Sequence, residues 1–347
     1  MKILISYPKQ SEKNSVFRTF FTDSALERLE KLGEVVYNET GENYSPDQMK
    51  EALKGVDVVF TCWGTPKFDE NVLTYADNLK MVCHAAGSAM PVISDDAALE
   101  KHGIPVFSGN KYFAMSVAEG AVLYMLSGGR WFVDMANEMK NDGWAGPYRY
   151  KTGLRGKKIG LVGFGEIAKD VVPLVKAFCP EKVMVYSGYL SKETADKYGV
   201  EVATLEEIFS QCEFISVHSG LNAQNYHLVK EEHMRAMVED AVLVNTARGP
   251  VIDEEAMVRV FKDRPDLRAV LDVYSEEPLP MNHEMRDVPN MTLIPHQGGP
   301  TTDYRGLVVH GLVDDIEKML AGRDDFENLI TFEQAKRMTD ESLRNKK

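Results

Sequence analysis

Three short stretches carry side chains able to do acid–base chemistry. "NTARG" presents Arg248, "SEEP" presents Glu277 and "IPHQGG" presents His296, each a few residues beyond an apolar run. A guanidinium offers a planar, two-point donor that matches a carboxylate. An imidazole titrates near neutrality, and a carboxylate beside it favours the cation, so the pair can pass a proton to a developing alkoxide or take one back. Each residue alone has an ordinary explanation: a helix cap or phosphate-facing arginine, a Glu-Pro turn, a loop histidine. Their arrival in this order, each at the end of an apolar run, favours chemistry over those structural roles.

The elements that must hold them are strands alternating with helices. "KILIS", "EVVYN", "DVVFTCW", "LKMVCHAAG" and "GIPVFSG" read as strands, and Ser45 with Pro46 caps a helix that stops before Gly55. A long helical stretch from Ser116 to about Lys140 contains Gly128-Gly129, where a bend or break is expected. A turn-rich connector, "NDGWAGPYRYKTGLRG", follows, and then the alternation restarts with "KKIGLVGFG", "KVMVYSG", "FISVHS", "AVLVNTARG", "LRAVLDVY" and "MTLIPHQGG". Such alternation predicts parallel sheets with right-handed crossovers, in two α/β units of which the second is the more regular. Ligands of open α/β sheets lie outside the carboxyl ends of the strands, so Thr246-Ala247-Arg248, Asp272, Glu277 and His296 are expected to converge there.

"GLVGFGEIA" supplies a further signal. Gly163-Phe164-Gly165-Glu166-Ile167-Ala168 follows an apolar strand and opens a helix. Gly163 suits the tight turn, Gly165 lets backbone approach a pyrophosphate, and Ala168 is small enough for close helix–strand packing, with the helix N-terminus facing the phosphates. In that context the motif reads as a dinucleotide site. The end of the next strand, about 20 residues on, should carry an acid for the ribose 2′-hydroxyl. Ser187 stands there, with no arginine following and only Lys192 near. The choice between NAD and NADP is therefore open.

Composition narrows the rest. A chain of 347 residues with 44% apolar and 27% charged residues fits two soluble globular domains. The formal net charge of −13 argues against nucleic-acid or anionic-membrane partners. No apolar run reaches the roughly 18 residues of a membrane span, and "MKILISYP" reads as a first strand rather than a signal peptide. Cys62, Cys83, Cys179 and Cys212 are too scattered for a zinc site or disulfide framework, so a cytoplasmic protein with reduced thiols, and no metal, is expected. His84, His102, His227, His233, His283 and His310 read as surface or packing residues, and Glu231-Glu232 and Asp314-Asp315 as solvated helix faces.

Over nearly its whole length the sequence resembles the D-isomer-specific 2-hydroxyacid dehydrogenase family. The resemblance rests on "LRGKKIGLVGFGEIA", "VNTARGPVIDEEA", "LDVYSEEPLP" and "VPNMTLIPHQGG", and toward the N-terminus on "LKMVCHAAGS", "GIPVFSG" and "SVAEGAVLYML". It implies an NAD- or NADP-dependent enzyme interconverting a 2-oxo acid and a D-2-hydroxy acid. Arg248 would bind the substrate carboxylate, His296 would be the acid–base group, and Glu277 would orient it. Asp272 and the backbone near Thr246 would hold the nicotinamide end of the cofactor, with Val117 facing it and His218 lining the cofactor cleft. Gly87 and Ser88 would offer N–H groups to the carboxylate. The implied plan is a Rossmann cofactor domain, residues 107–298, inserted into a flavodoxin-like substrate domain, residues 1–106 and 299–347. The 116–140 helix would form much of a homodimer interface. Phe113 stands where the family usually has Asn, Gly220 where it has Pro, and "QGGP" follows the histidine, departures that suggest an unusual substrate or a divergent member with weak activity toward simple 2-oxo acids. A non-catalytic nucleotide-binding paralogue has no need of the acid–base pair, and an amino-acid dehydrogenase would want a lysine that none of these strand ends carries.

Overall fold

The computed structural model describes residues 1–9, 16–141, 144, 151–340 and 343, which leaves half of the turn-rich connector outside the described residues. The chain divides into two compact units, Met1–Ala114 with Pro300–Asp340, and Met115–Gly299 with Glu341–Lys347. Each is an open α/β sheet covered by helices.

The first unit holds β1 (Lys2–Pro8), β2 (Glu34–Asn38), β3 (Val58–Thr61), β4 (Met81–His84) and β5 (Val106–Ser108), with β13 (Leu329–Ile330) contributed from late in the chain. Their order is β13-β5-β4-β3-β1-β2, all parallel except the β13 edge. That is the 2-1-3-4-5 winding, whose direction reverses between β1 and β3. β3 and β4 are buried along their whole length, as strands covered by helices on both faces must be.

The second unit holds β6 (Lys158–Val162), β7 (Lys182–Tyr186), β8 (Glu201–Val202), β9 (Phe214–Val217), β10 (Val242–Asn245), β11 (Arg268–Leu271) and β12 (Met291–Leu293). The all-parallel order β12-β11-β10-β9-β6-β7-β8 is the doubly wound dinucleotide arrangement extended by one strand, with its switch point between β6 and β9. The expected fold class is therefore the observed one.

Two local expectations are corrected. The helix Asn110–Arg130 runs unbroken through Gly128 and Gly129 and begins six residues earlier than its apolar pattern suggests. A Cβ on Gly128 would lie 2.7 Å from Val242 Cγ1, and one on Gly129 2.8 Å from the Thr152 carbonyl, so the glycines serve close packing. The break falls at Trp131, which has φ of +55°. There the buried Arg268 guanidinium stacks 3.5 Å above the indole and pairs with Asp134 of the next helix, Phe132–Asn141. The second correction concerns Asp314-Asp315. Asp314 meets Arg28 at the surface, but Asp315 is fully buried and accepts the N–H groups of Glu327 and Asn328. Adjacent helical residues point about 100° apart, so one acid can be solvated while its neighbour anchors the strand-bearing tail.

Candidate active site

β10, β11 and β12 are adjacent, and each ends in a turn that carries one of the three candidate residues. At the end of β10, Asn245 fixes the turn: its amide oxygen accepts the Ala247 N–H and its amide nitrogen donates to the Arg248 carbonyl, both at 3.0 Å. Arg248 is half-buried with extended backbone, and its Nη1 donates to the Ala247 carbonyl at 2.6 Å. The turn then presses on its neighbour. A Cβ on Gly249 would lie 2.1 Å from the Tyr274 carbonyl carbon, so only glycine lets the Arg248 turn meet the loop beyond β11.

That loop carries Glu277. Its Oε1 accepts the Tyr274 N–H at 2.8 Å, and its Oε2 lies 2.7 Å from Nδ1 of His296. The carboxylate side chain is only 15% exposed and the imidazole 41%, so the acid is the more buried member of the pair. His296 itself sits at φ +53°, a conformation uncommon for a non-glycine residue and one that marks a turn held by its surroundings. The holders are identifiable. Asp272, almost fully buried at the end of β11, accepts the N–H groups of Gln297 and Gly298 at 2.7 and 2.8 Å. Tyr124 donates to the same carboxylate at 3.2 Å, and the Tyr274 hydroxyl lies within hydrogen-bond distance of the Leu271 and Ile294 carbonyls, joining the ends of β11 and β12. Burial raises the Asp272 carboxyl above its ordinary range, opposed by the two N–H donors and the nearby His296.

The glycine loop lies at the switch point. Gly163 has φ of +104°, and a Cβ there would lie 2.7 Å from the Ser219 nitrogen just past β9. Gly165 has open space where a Cβ would stand and precedes the helix Glu166–Lys176. Glu166, at the first position of that helix, pairs with Lys169, and Ile167 is half-buried. Beside the loop, both ring nitrogens of His218 and the Thr246 hydroxyl are buried with no hydrogen-bond partner among the described residues. Burial depresses the His218 imidazole to about 4, which keeps it neutral. Buried polar atoms of this kind call for a partner, and they fit a dinucleotide lying along the ends of β6, β9 and β10. Val117 packs against Gly299 in the loop that follows His296, and Ser187, half-buried past β7, accepts the Tyr189 N–H at 3.3 Å.

Gly87 and Ser88 belong to the first unit, in the turn after β4. The Gly87 carbonyl accepts the Ser108 hydroxyl at 2.6 Å, and Ser88 Oγ donates to the Thr339 carbonyl. His84, read as a packing residue, is fully buried below this turn, 2.9 Å from Thr61 Oγ1 and bonded to the Ser88 backbone. Asn245, Tyr124 and Tyr274 are not singled out by any motif. Only Asn245 leaves a trace, as the polar end of an otherwise apolar strand. The "QGGP" run has a packing role as well, because a Cβ on Gly298 would lie 2.7 Å from Asp272 Oδ2.

The model of the D-isomer specific 2-hydroxyacid dehydrogenase NAD binding domain matches residues 122–298. The glyoxylate reductase of Thermofilum pendens is 31% identical over 82% of this chain and 84% of its own length. The D-3-phosphoglycerate dehydrogenase of Methanocaldococcus jannaschii is 32% identical over 86% of this chain, which spans only 56% of that protein. The crystal structure of a phosphoglycerate oxidoreductase from Rhizobium etli shares the fold, with a TM-score of 0.78 at 23% identity over 95% of this chain and 98% of that one. By the domain match and the Thermofilum relative together, the chain belongs to the D-isomer-specific 2-hydroxyacid dehydrogenases, a family of NAD-dependent oxidoreductases.

Proposed function

We propose that the protein interconverts a 2-oxo acid and a D-2-hydroxy acid with NAD or NADP. The observation that carries this reading is the His296–Glu277 pair, 2.7 Å apart, on a turn held by Asp272. A bound nicotinamide would supply or accept the hydride. The chain's own residues do the rest. Arg248 binds the substrate carboxylate through its planar donors, with Gly87 and Ser88 as further N–H donors. Glu277 accepts from Nδ1 of His296, which leaves Nε2 to give a proton to the alkoxide oxygen in reduction and take it back in oxidation. Asp272, Val117, Thr246, Ala247 and His218 hold the nicotinamide end, and Gly163, Gly165, Glu166 and Ile167 hold the pyrophosphate, with Ser187 beside the adenosine ribose.

On this reading Met115–Gly299 is the cofactor domain, and Met1–Ala114 with Pro300–Asp340 is the substrate domain. The exposed Leu123, Phe132 and Met139, on the helices Asn110–Arg130 and Phe132–Asn141, support a homodimer built on them. The cysteines are all free, three of them buried, which accords with a cytoplasmic location, and among the described residues no helix is long and apolar enough to cross a membrane. The test is a panel of 2-oxo acids with NADH and with NADPH, followed by loss of nicotinamide absorbance. Turnover of at least one member is expected. Tight cofactor binding with no turnover across the panel favours a non-catalytic nucleotide-binding protein instead.

A further inference from the structure

The switch point of the first unit holds a cation that the proposed chemistry does not use. Arg305 lies in the first turn of the helix Thr302–Leu320. Its Cζ is 5.7 Å from the ring centre of Phe20 and 5.8 Å from that of Trp63. Phe113 completes the cluster, with ring centres 6.1 Å from both Phe20 and Trp63. Trp63 follows β3, and Tyr7, near the end of β1, is close enough for the Arg305 charge to act on its phenol. β1 and β3 are the pair between which the sheet reverses direction, which is where open α/β sheets bind ligands.

Among the described residues no hydrogen bond or ion pair reaches the guanidinium, and its Nε is buried without a partner. Asp303, the acid of the same helical turn, is bonded instead to the Thr301 hydroxyl at 2.6 Å. Aromatic faces attract a cation but accept few of its N–H groups. A flat guanidinium between rings therefore keeps its donor edge available for a planar anion. Glu42 and Asn43 line an open recess of about 450 Å³ that Tyr7 and Trp63 also border, so an acid competes nearby without pairing with Arg305.

The cluster also adjoins the turn assigned to the substrate carboxylate. Phe113 Cδ1 lies 3.5 Å from the position a Cβ would take on Gly87. Phe113 thus borders both the Gly87 turn and the Phe20 and Trp63 rings that flank Arg305, and its faces suit a short carbon stem. We propose that Arg305, framed by Phe20, Trp63 and Phe113, binds a second anionic group at the far end of the substrate, making this enzyme selective for 2-oxo acids that end in a carboxylate or phosphate.

This rests on the 2-oxo acid reading above, and the test separates the two. Initial rates are measured for 2-oxopentanedioate and for 2-oxopentanoate, which has the same stem without the terminal charge, in the wild type, Arg305→Met and Arg305→Lys. Hydrogen bonds to a charged partner support a preference for the diacid of roughly tenfold or more in kcat/KM. That ratio should fall toward one in Arg305→Met, through the KM for the diacid, and be partly kept in Arg305→Lys. A wild type without the preference, or a preference that survives in Arg305→Met, overturns the assignment while leaving the 2-oxo acid chemistry standing. If neither compound is turned over, the chemistry has failed, and titration calorimetry with glutarate decides the anion site alone. Binding to the wild type that is lost in Arg305→Met supports the site, and absent or equal binding overturns it. Unchanged NADH affinity and circular dichroism in both variants confirm that each has folded.

Discussion

Nδ1 of His296 lies 2.7 Å from Oε2 of Glu277, whose other oxygen is held by the Tyr274 N–H. A carboxylate fixed at both ends can only accept, so it assigns the hydrogen to Nδ1, and Nε2 is then the atom that would exchange a proton with substrate under the proposed function. Replacing His296 by Ala should lower kcat by roughly 10²- to 10⁴-fold, the usual worth of a positioned acid–base group, with little change in the NADH dissociation constant. Glu277→Gln should fall between that variant and the wild type, because an amide can still orient the ring. Wild-type turnover in His296→Ala would falsify the acid–base assignment.

Gly249 makes a sharper demand on geometry than any charged residue here. A Cβ would lie 2.1 Å from one backbone atom of the Tyr274–Ser275 segment and 2.2 Å from the next. Neither is a flexible side chain that could move aside. Gly249→Ala must then push the Arg248 turn away from the loop that carries Glu277, at a cost on the scale of overpacking, about 1–3 kcal/mol or more. A lower melting temperature together with a raised KM for the 2-oxo acid is expected. A variant that melts and turns over like the wild type would mean that the two turns are not in contact.

What the sequence discloses and what it withholds divide along physical lines. Arg248, Glu277, His296 and Gly163 are legible because each follows an apolar run within a few residues, and strand ends are marked locally. Tyr124 is not, since its partner Asp272 lies 148 positions away and a tyrosine in a helix gives no sign of what its hydroxyl meets. Gly128-Gly129 misleads for the same reason: helix propensity is a local cost, and the tight approach of Val242 and Phe214 that rewards the glycines is set by the sheet. Nothing local marks Arg305, because the Phe20 and Trp63 rings that flank it are far from it in sequence and meet it only in the fold.

His84 predicts a pH dependence that belongs to the first unit. Burial depresses its imidazole from 6.5 to about 4, so it stays neutral in the fold while the unfolded chain takes up a proton below 6.5. Stability from this group is therefore present above pH 6.5 and is lost as the pH falls toward 4. The full loss is on the order of 3 kcal/mol. Denaturant titrations of the wild type and His84→Gln, compared at each pH, should converge through that window, because the wild type alone pays the protonation difference. Parallel curves would show that this imidazole does not titrate between the two states.

Ser187 sets the last expectation. It follows β7, where a dinucleotide fold commonly places the acid that binds the ribose 2′-hydroxyl and repels a 2′-phosphate. The serine does neither strongly, and its Oγ is already engaged by the Tyr189 N–H at 3.3 Å. With Lys192 the only cation close in sequence, neither NADH nor NADPH gains a decisive contact. Ser187→Asp adds both the hydroxyl acceptor and the repulsive charge, so the ratio of kcat/KM for NADH over that for NADPH should rise, chiefly through a weaker KM for NADPH. The change must appear with each 2-oxo acid alike, since on the proposed reading the adenosine end would lie at β7 and the acid–base pair beyond β11 and β12. A ratio that stays fixed would place the ribose away from Ser187, and a ratio that moves with only one substrate would locate the effect at the reacting end instead.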